Sequence, residues 1–233
     1  MTLDQLTDIL ARVDGRERQI IEAYLVRLRA ARIIGTRGDL DTLDLACALI
    51  GLNAAHRAAE APAAVQTFRS LRARLITGIE SEKYLPDQVI EARDFAEALA
   101  AMIETAPEIE RAFETIIFET LANDAGASLG LGGAGAAMRL TAQIHTGPYP
   151  AAAIRVDTNL NRRWGYGRQQ RALEGVHETM FVGDDAVSRL DGQVPERRVS
   201  VALHLPVFLA LHEAAIPRKS SGCPAVLQKA VEA

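Results

Sequence analysis

The side chains best suited to chemistry are guanidinium groups clustered near the N-terminus. Asp14-Gly15 is followed by Arg16, Glu17, Arg18 and Gln19, then by Glu22, Arg27 and Arg29. Long donor-rich side chains at the start of a helix are what contact with base edges and phosphates requires. In a helix-turn-helix one helix braces a second, and a short turn, often containing glycine, sets the second at a steep angle so that it enters the major groove. Arg16, Arg18, Gln19 and Arg29 would then belong to the reading helix. The competing reading is two ordinary packed helices whose arginines are solvated.

A second cluster lies far along the chain, where Asn161-Arg162-Arg163-Trp164-Gly165-Tyr166-Gly167-Arg168 precedes Gln169, Gln170 and Arg171. Guanidinium planes and aromatic faces both stack on bases, and arginines reach phosphates. Closely spaced arginines in a core would each need a partner, so an exposed surface is expected, with Arg162, Arg163, Trp164 and Arg168 contacting DNA. An exposed hairpin in which Trp164 anchors the strands is the alternative.

Catalytic chemistry finds no foothold. Nothing pairs a nucleophile with a base. The histidines, His56, His145, His177, His204 and His212, form no His-Glu-x-x-His pair, and Cys47 and Cys223 are too few for a disulfide framework or a Cys-rich zinc site. The segment from Gly126 to Gly135 lacks the lysine and hydroxyl residue of a phosphate loop and follows no strand. Asp184, Asp185 and Asp191 sit among turn formers, and Arg37-Gly38-Asp39 is a chance tripeptide. The expectation is a non-enzyme without metal or cofactor.

The formal net charge of −4 argues against a uniformly basic polyanion binder, but the charge is unevenly spread. Residues 1–79 carry a net +2, residues 80–124 a net −9 and residues 125–233 a net +3, so the two ends remain able to approach DNA. A hydrophobic fraction of 48% over 233 residues can fill a core. No stretch reaches the roughly 18 uncharged apolar residues of a membrane span. The first ten residues hold Asp4 and Asp8 and no basic run, unlike a secretory signal, so the expected compartment is the cytoplasm.

Apolar spacing supplies the elements that would position these groups. Thr2 to Val13 and Arg16 to Ile34 read as helices joined by a tight turn. Asp41 to Ala55, Ala61 to Ile76, Leu85 to Glu104 and Pro107 to Asn123 read as four more, which makes the chain all helix up to about residue 124. Gly126 to Gly135 reads as a flexible connection. Beyond it Met138 to Thr146, Ala151 to Asp157, Thr179 to Gly183 and Arg198 to Leu205 read as strands, with a helix from Pro206 to Ala215. The fold class is α+β: an all-helical N-terminal half with a helix-turn-helix, then a small antiparallel β-containing C-terminal domain. The segments are 1–79, a helix-turn-helix helical domain; 80–124, acidic and helical; 125–137, a glycine-rich linker; and 138–233, the β-containing domain.

The stretch Leu25-Val-Arg-Leu-Arg-Ala-Ala-Arg-Ile-Ile-Gly-Thr-Arg-Gly, followed by Asp41-Thr-Leu-Asp-Leu-Ala-Cys-Ala-Leu-Ile, resembles a segment of prophage-encoded proteins with MerR-like helix-turn-helix domains. That pattern commonly has a proline where this chain has Gly35, and the match covers about the first quarter of the sequence. The resemblance implies a regulator of phage-like genes. The resulting expectation is a sequence-specific, homodimeric transcription regulator of phage or mobile-element type that binds double-stranded DNA. The rival is a protein-binding adaptor or phage structural component that binds no DNA.

Overall fold

Two capping boxes start two of the N-terminal helices. The computed structural model describes residues 1–35, 40–77, 85–125, 136–147, 149–161, 172–183 and 199–216. Helix α1 (Leu3–Asp14) begins at Thr2, whose hydroxyl accepts from the Gln5 amide while the Gln5 side chain accepts from the Thr2 amide. It ends at Gly15, held at φ 75°, a left-handed conformation that costs a residue with a Cβ about 1–2 kcal/mol. After Gly15, Arg16 and Glu17 comes α2 (Arg18–Ala30), followed by α3 (Thr42–Ala54) with its own box between Asp41 and Asp44. Nine of the thirteen α3 residues are buried, so this helix is the centre of the helical layer. Gly51 lets α2 approach, because a Cβ there would stand 2.9 Å from a Leu28 methyl.

A 3-10 turn (Ala58–Glu60) leads into α4 (Ala61–Ser70). The expected fourth helix, running to Ile76, is corrected here: it stops at Ser70, and Arg72–Thr77 forms strand β1. The N-terminal half is therefore not all helical. Strand pairing outweighs local helix propensity, since β1 bonds antiparallel to β4 (Ala172–Val182), with a register shift between Ala73 and Leu75. The expected Leu85–Glu104 and Pro107–Asn123 pair is likewise corrected to a short α5 (Asp87–Ile90) and a single 31-residue α6 (Phe95–Ala125) that runs through Pro107.

Strands β2 (Ala136–Thr146), β3 (Ala151–Asn161) and β5 (Val199–His204) complete a five-stranded sheet in the order β1-β4-β3-β2-β5, every neighbouring pair antiparallel. Helix α7 (Leu205–Ala215) follows directly. The protein is thus a mixed α+β fold with N-terminal helices and a C-terminal sheet, as the hydrophobic patterning indicates. Period-two alternation puts Leu140, Ala142 and Ile144 of β2 on one face. Register places them opposite Val156, Ile154 and Ala152 of β3, and Ala152 opposite Phe181 of β4. Helices α3, α6 and α7 pack on this sheet, and Phe95 of α6 stacks between Phe68 of α4 and Phe181, with ring centroids 6.2 and 5.5 Å away. One continuous cluster of buried side chains runs from Leu6 to Leu211 through helices and sheet.

Among the described residues no helix is long and apolar enough to cross a membrane. The expected glycine-rich connection, Gly126 to Gly135, lies outside the described residues.

Candidate nucleic-acid interface

Helix α2 has two opposed faces. Ile21, Leu25 and Leu28 recur at i, i+4 and i+7 and, with Tyr24, are its only buried residues. Two residues out of phase, about 200° around the helix, Gln19, Ala23, Val26 and Ala30 form a parallel exposed stripe. Arg18, Glu22 and Arg29 flank that stripe on one side, and Ile20 and Arg27 on the other, all exposed. Val26 is 51% and Ile20 45% exposed, the two most exposed large apolar side chains among the described residues.

Of the two arginines nearest the turn, Arg16 reaches inward and Arg18 pairs along the surface. Arg16 donates from Nη1 to the Leu52 carbonyl, places Nη2 3.5 Å from the Asn53 side-chain oxygen and pairs through Nε with Asp14 at 2.9 Å. It therefore binds the α1–α2 turn to the last turn of α3, where free carbonyls and the negative end of the helix dipole favour a cation. Tyr24 reinforces the same junction by donating to the Ala55 carbonyl at 3.2 Å. Arg18 pairs with Asp8 and lies 3.7 Å from Asp4, both on α1, with half its side chain still exposed. Gln19 and Arg29 are exposed on α2. Arg162, Arg163, Trp164 and Arg168 fall in the stretch between β3 and β4 that lies outside the described residues.

The end of α2 is built unusually. Arg32 has φ 58°, its amide bonds the Arg29 carbonyl, and the Ile33 amide bonds the Leu28 carbonyl, both at 3.0 Å. These are the two bonds of a Schellman motif, with arginine where glycine is usual. The chain then turns back: Asp44 accepts from the Gly35 amide through one carboxylate oxygen and from the Asp41 amide through the other, and the Leu40 amide bonds the Met1 carbonyl at 2.9 Å. Burial, with the Asp41 charge beside it, raises the Asp44 carboxyl above its ordinary value despite these amides. The α2–α3 connection is thus closed at its base against α3 and the N-terminus.

Of the four reading residues expected on the second helix, Arg18, Gln19 and Arg29 lie on α2, whereas Arg16 lies in the turn before it, and the expected contacts did not include Ala23, Val26, Arg27 or Arg32. The spacing of Ala23, Val26 and Arg27 is in the sequence, out of phase with the Ile21 series, whereas the left-handed Arg32 has no sequence signature. His56 and His204 are exposed, and among the described residues no group of three or more His, Cys, Asp or Glu could hold a metal ion. No family model, no curated protein and no solved structure matches this chain.

Proposed function

We propose that the chain is a DNA-binding regulatory protein of helix-turn-helix type, acting as a homodimer, in which α2 enters the major groove. The observation that carries this reading is the pair of opposed stripes on α2, which leaves most of the helix surface outside the fold. The exposed stripe suits a groove chemically. The Gln19 amide can pair with the N6 and N7 edge of adenine, and Val26 can meet a thymine methyl. Ala23 and Ala30 leave room for close approach. Arg27, Arg29 and Arg32 are placed to meet phosphates on either side. Arg18 is half free for the same purpose, and Arg16 acts as a positioning residue. Pairing of half-sites would supply the affinity that one short helix lacks.

A second reading takes the same stripe as an interface. Ala23, Val26 and Ala30, with Ile20 beside them, also suit close packing of a partner helix, as in an adaptor or structural component that binds no DNA. Fluorescence anisotropy with a duplex from the region flanking the gene, over a salt series, separates the two. Groove binding predicts salt-dependent association, a loss of about 1–3 kcal/mol of specificity in Gln19→Ala, and a salt slope smaller by about 1 in Arg27→Ala. No association at low salt, together with an oligomer that Val26→Asp dissociates, would establish the interface instead.

A further inference from the structure

A cleft of about 570 Å³ opens where the end of α4, the start of β1 and the beginning of α6 meet, with Arg69, Arg72, Arg93, Asp94 and Glu97 as its charged walls. The Glu97 carboxylate is wholly committed and that of Asp94 in part. Glu97 takes Arg93 through both oxygens and also accepts from the Arg93 amide, and this pairing holds its carboxyl below the ordinary range. Asp94 accepts from the Glu97 amide at 3.0 Å and so caps α6. The Arg93 and Glu97 amides are therefore occupied by the chain's own side chains, and the groups in the cleft suited to attract an anion are the guanidinium groups.

Two guanidiniums remain. Arg72 is braced through Nη1 on the carbonyls of Arg69, at 2.8 Å, and Leu71, at 3.3 Å, while its ion pair with Asp94 is long, at 3.8 Å. Its Nη2 and Nε make no hydrogen bond among the described residues, so the fork is oriented before any ligand arrives. The side chain of Arg69, three residues earlier and exposed, makes no hydrogen bond or ion pair among the described residues. We propose that this cleft binds a small phosphate-bearing ligand, its phosphate held between Arg69 and Arg72. The volume is that of a small-molecule site. Two forks from different elements match a tetrahedral dianion, which offers more acceptor oxygens than a carboxylate. Asp94 Oδ2, outside hydrogen-bond reach of Arg72, is left to accept from a hydroxyl of the same ligand.

The site does not involve α2, and its test does not depend on DNA binding there. Calorimetric titration of the full chain with inorganic phosphate and with glucose 6-phosphate, at constant ionic strength, is expected to show saturable binding of both. Arg69→Ala should weaken both by about tenfold, the usual scale for one lost charge-assisted hydrogen bond, with unchanged melting temperature because the substitution keeps the carbonyl that braces Arg72 and removes only an exposed side chain. Absence of binding by the unaltered chain, or equal binding by Arg69→Ala, would overturn the assignment. If neither probe binds but Arg69→Ala flattens the salt dependence of duplex affinity, the phosphate belongs to a nucleic-acid backbone and the small-ligand assignment fails.

Discussion

His212 of α7 places Nδ1 2.9 Å from the carbonyl oxygen of Ile103, the carbonyl that an amide at position 107 would otherwise satisfy within α6. Position 107 is proline, which has no amide hydrogen. A carbonyl only accepts, so the imidazole carries its proton on Nδ1 and supplies from a neighbouring helix what the backbone lacks. This relationship accounts for a helix that passes through proline. His212→Ala should cost about 1–2 kcal/mol, because it leaves a buried carbonyl unsatisfied. In a Pro107→Ala background, where an amide returns, the same change should cost much less. Denaturant unfolding of the four proteins in that cycle gives the coupling, and equal costs in both backgrounds would break the link.

Arg16 ties the turn before the proposed reading helix to Leu52 and Asn53, so its loss should be felt in folding before it is felt in binding. Arg16→Ala is expected to destabilise by about 1–2 kcal/mol, discounted for the third of the side chain that remains exposed. Arg18→Ala, which loses only surface pairs with Asp4 and Asp8, should change stability by less than about 0.5 kcal/mol. Urea midpoints of the two variants would decide it, and identical midpoints would deny Arg16 a bracing role.

Much of this fold was legible because its signals are local. Thr2 and Asp41 mark helix starts by their own chemistry, Gly15 marks an end, and the alternation of Leu140, Ala142 and Ile144 marks a strand whichever partner it finds. What escaped depends on distant residues. Arg72–Thr77 becomes a strand only because β4 bonds to it from more than a hundred residues away. Pro107 looks like a helix boundary until His212 is placed beside it. The candidate site divides in the same way. The exposed stripe on α2 is a matter of spacing, whereas the inward commitment of Arg16 required knowing where α3 ends.

Cys47 is buried in the middle of α3, and burial pushes its thiol up to about 11. The thiolate is the reactive form, so this cysteine should be inert near neutral pH. In a Cys223→Ser background, an aromatic disulfide reagent at pH 8 is expected to react only after denaturant is added. Rapid labelling of the native protein would show that α3 is not held as described.

Asp44 and Glu97 should pull stability in opposite directions as pH changes. Burial raises the Asp44 carboxyl above its ordinary 3.8, so the folded state binds that proton more tightly than the unfolded chain. Its favourable contribution is complete below 3.8 and is lost as pH rises through the folded value. Glu97 is held below its ordinary 4.5 by Arg93, so its contribution is present above 4.5 and is lost as pH falls through the folded value. Asp44→Asn should remove the decline on the rising side, and Glu97→Gln the decline on the acid side. Unfolding curves between about pH 3 and pH 7 would check both signs, and an unchanged pH profile in either variant would refute its assignment.

Arg32 offers the sharpest separation of folding from function. At φ 58° it occupies a conformation that glycine adopts without strain, and it is exposed, so nothing in the core depends on its side chain. Arg32→Gly should therefore leave stability unchanged or raise it by up to about 1 kcal/mol, with relief of strain offset by the greater freedom of the unfolded chain. If the arginine is kept at the end of α2 for a phosphate, the same variant should bind DNA more weakly across all sequences, with a salt slope reduced by about 1. Thermal unfolding and salt-dependent anisotropy on one preparation give both quantities. A protein at least as stable, with weaker and less salt-sensitive binding, is the expected result, and unaltered binding would remove Arg32 from the interface.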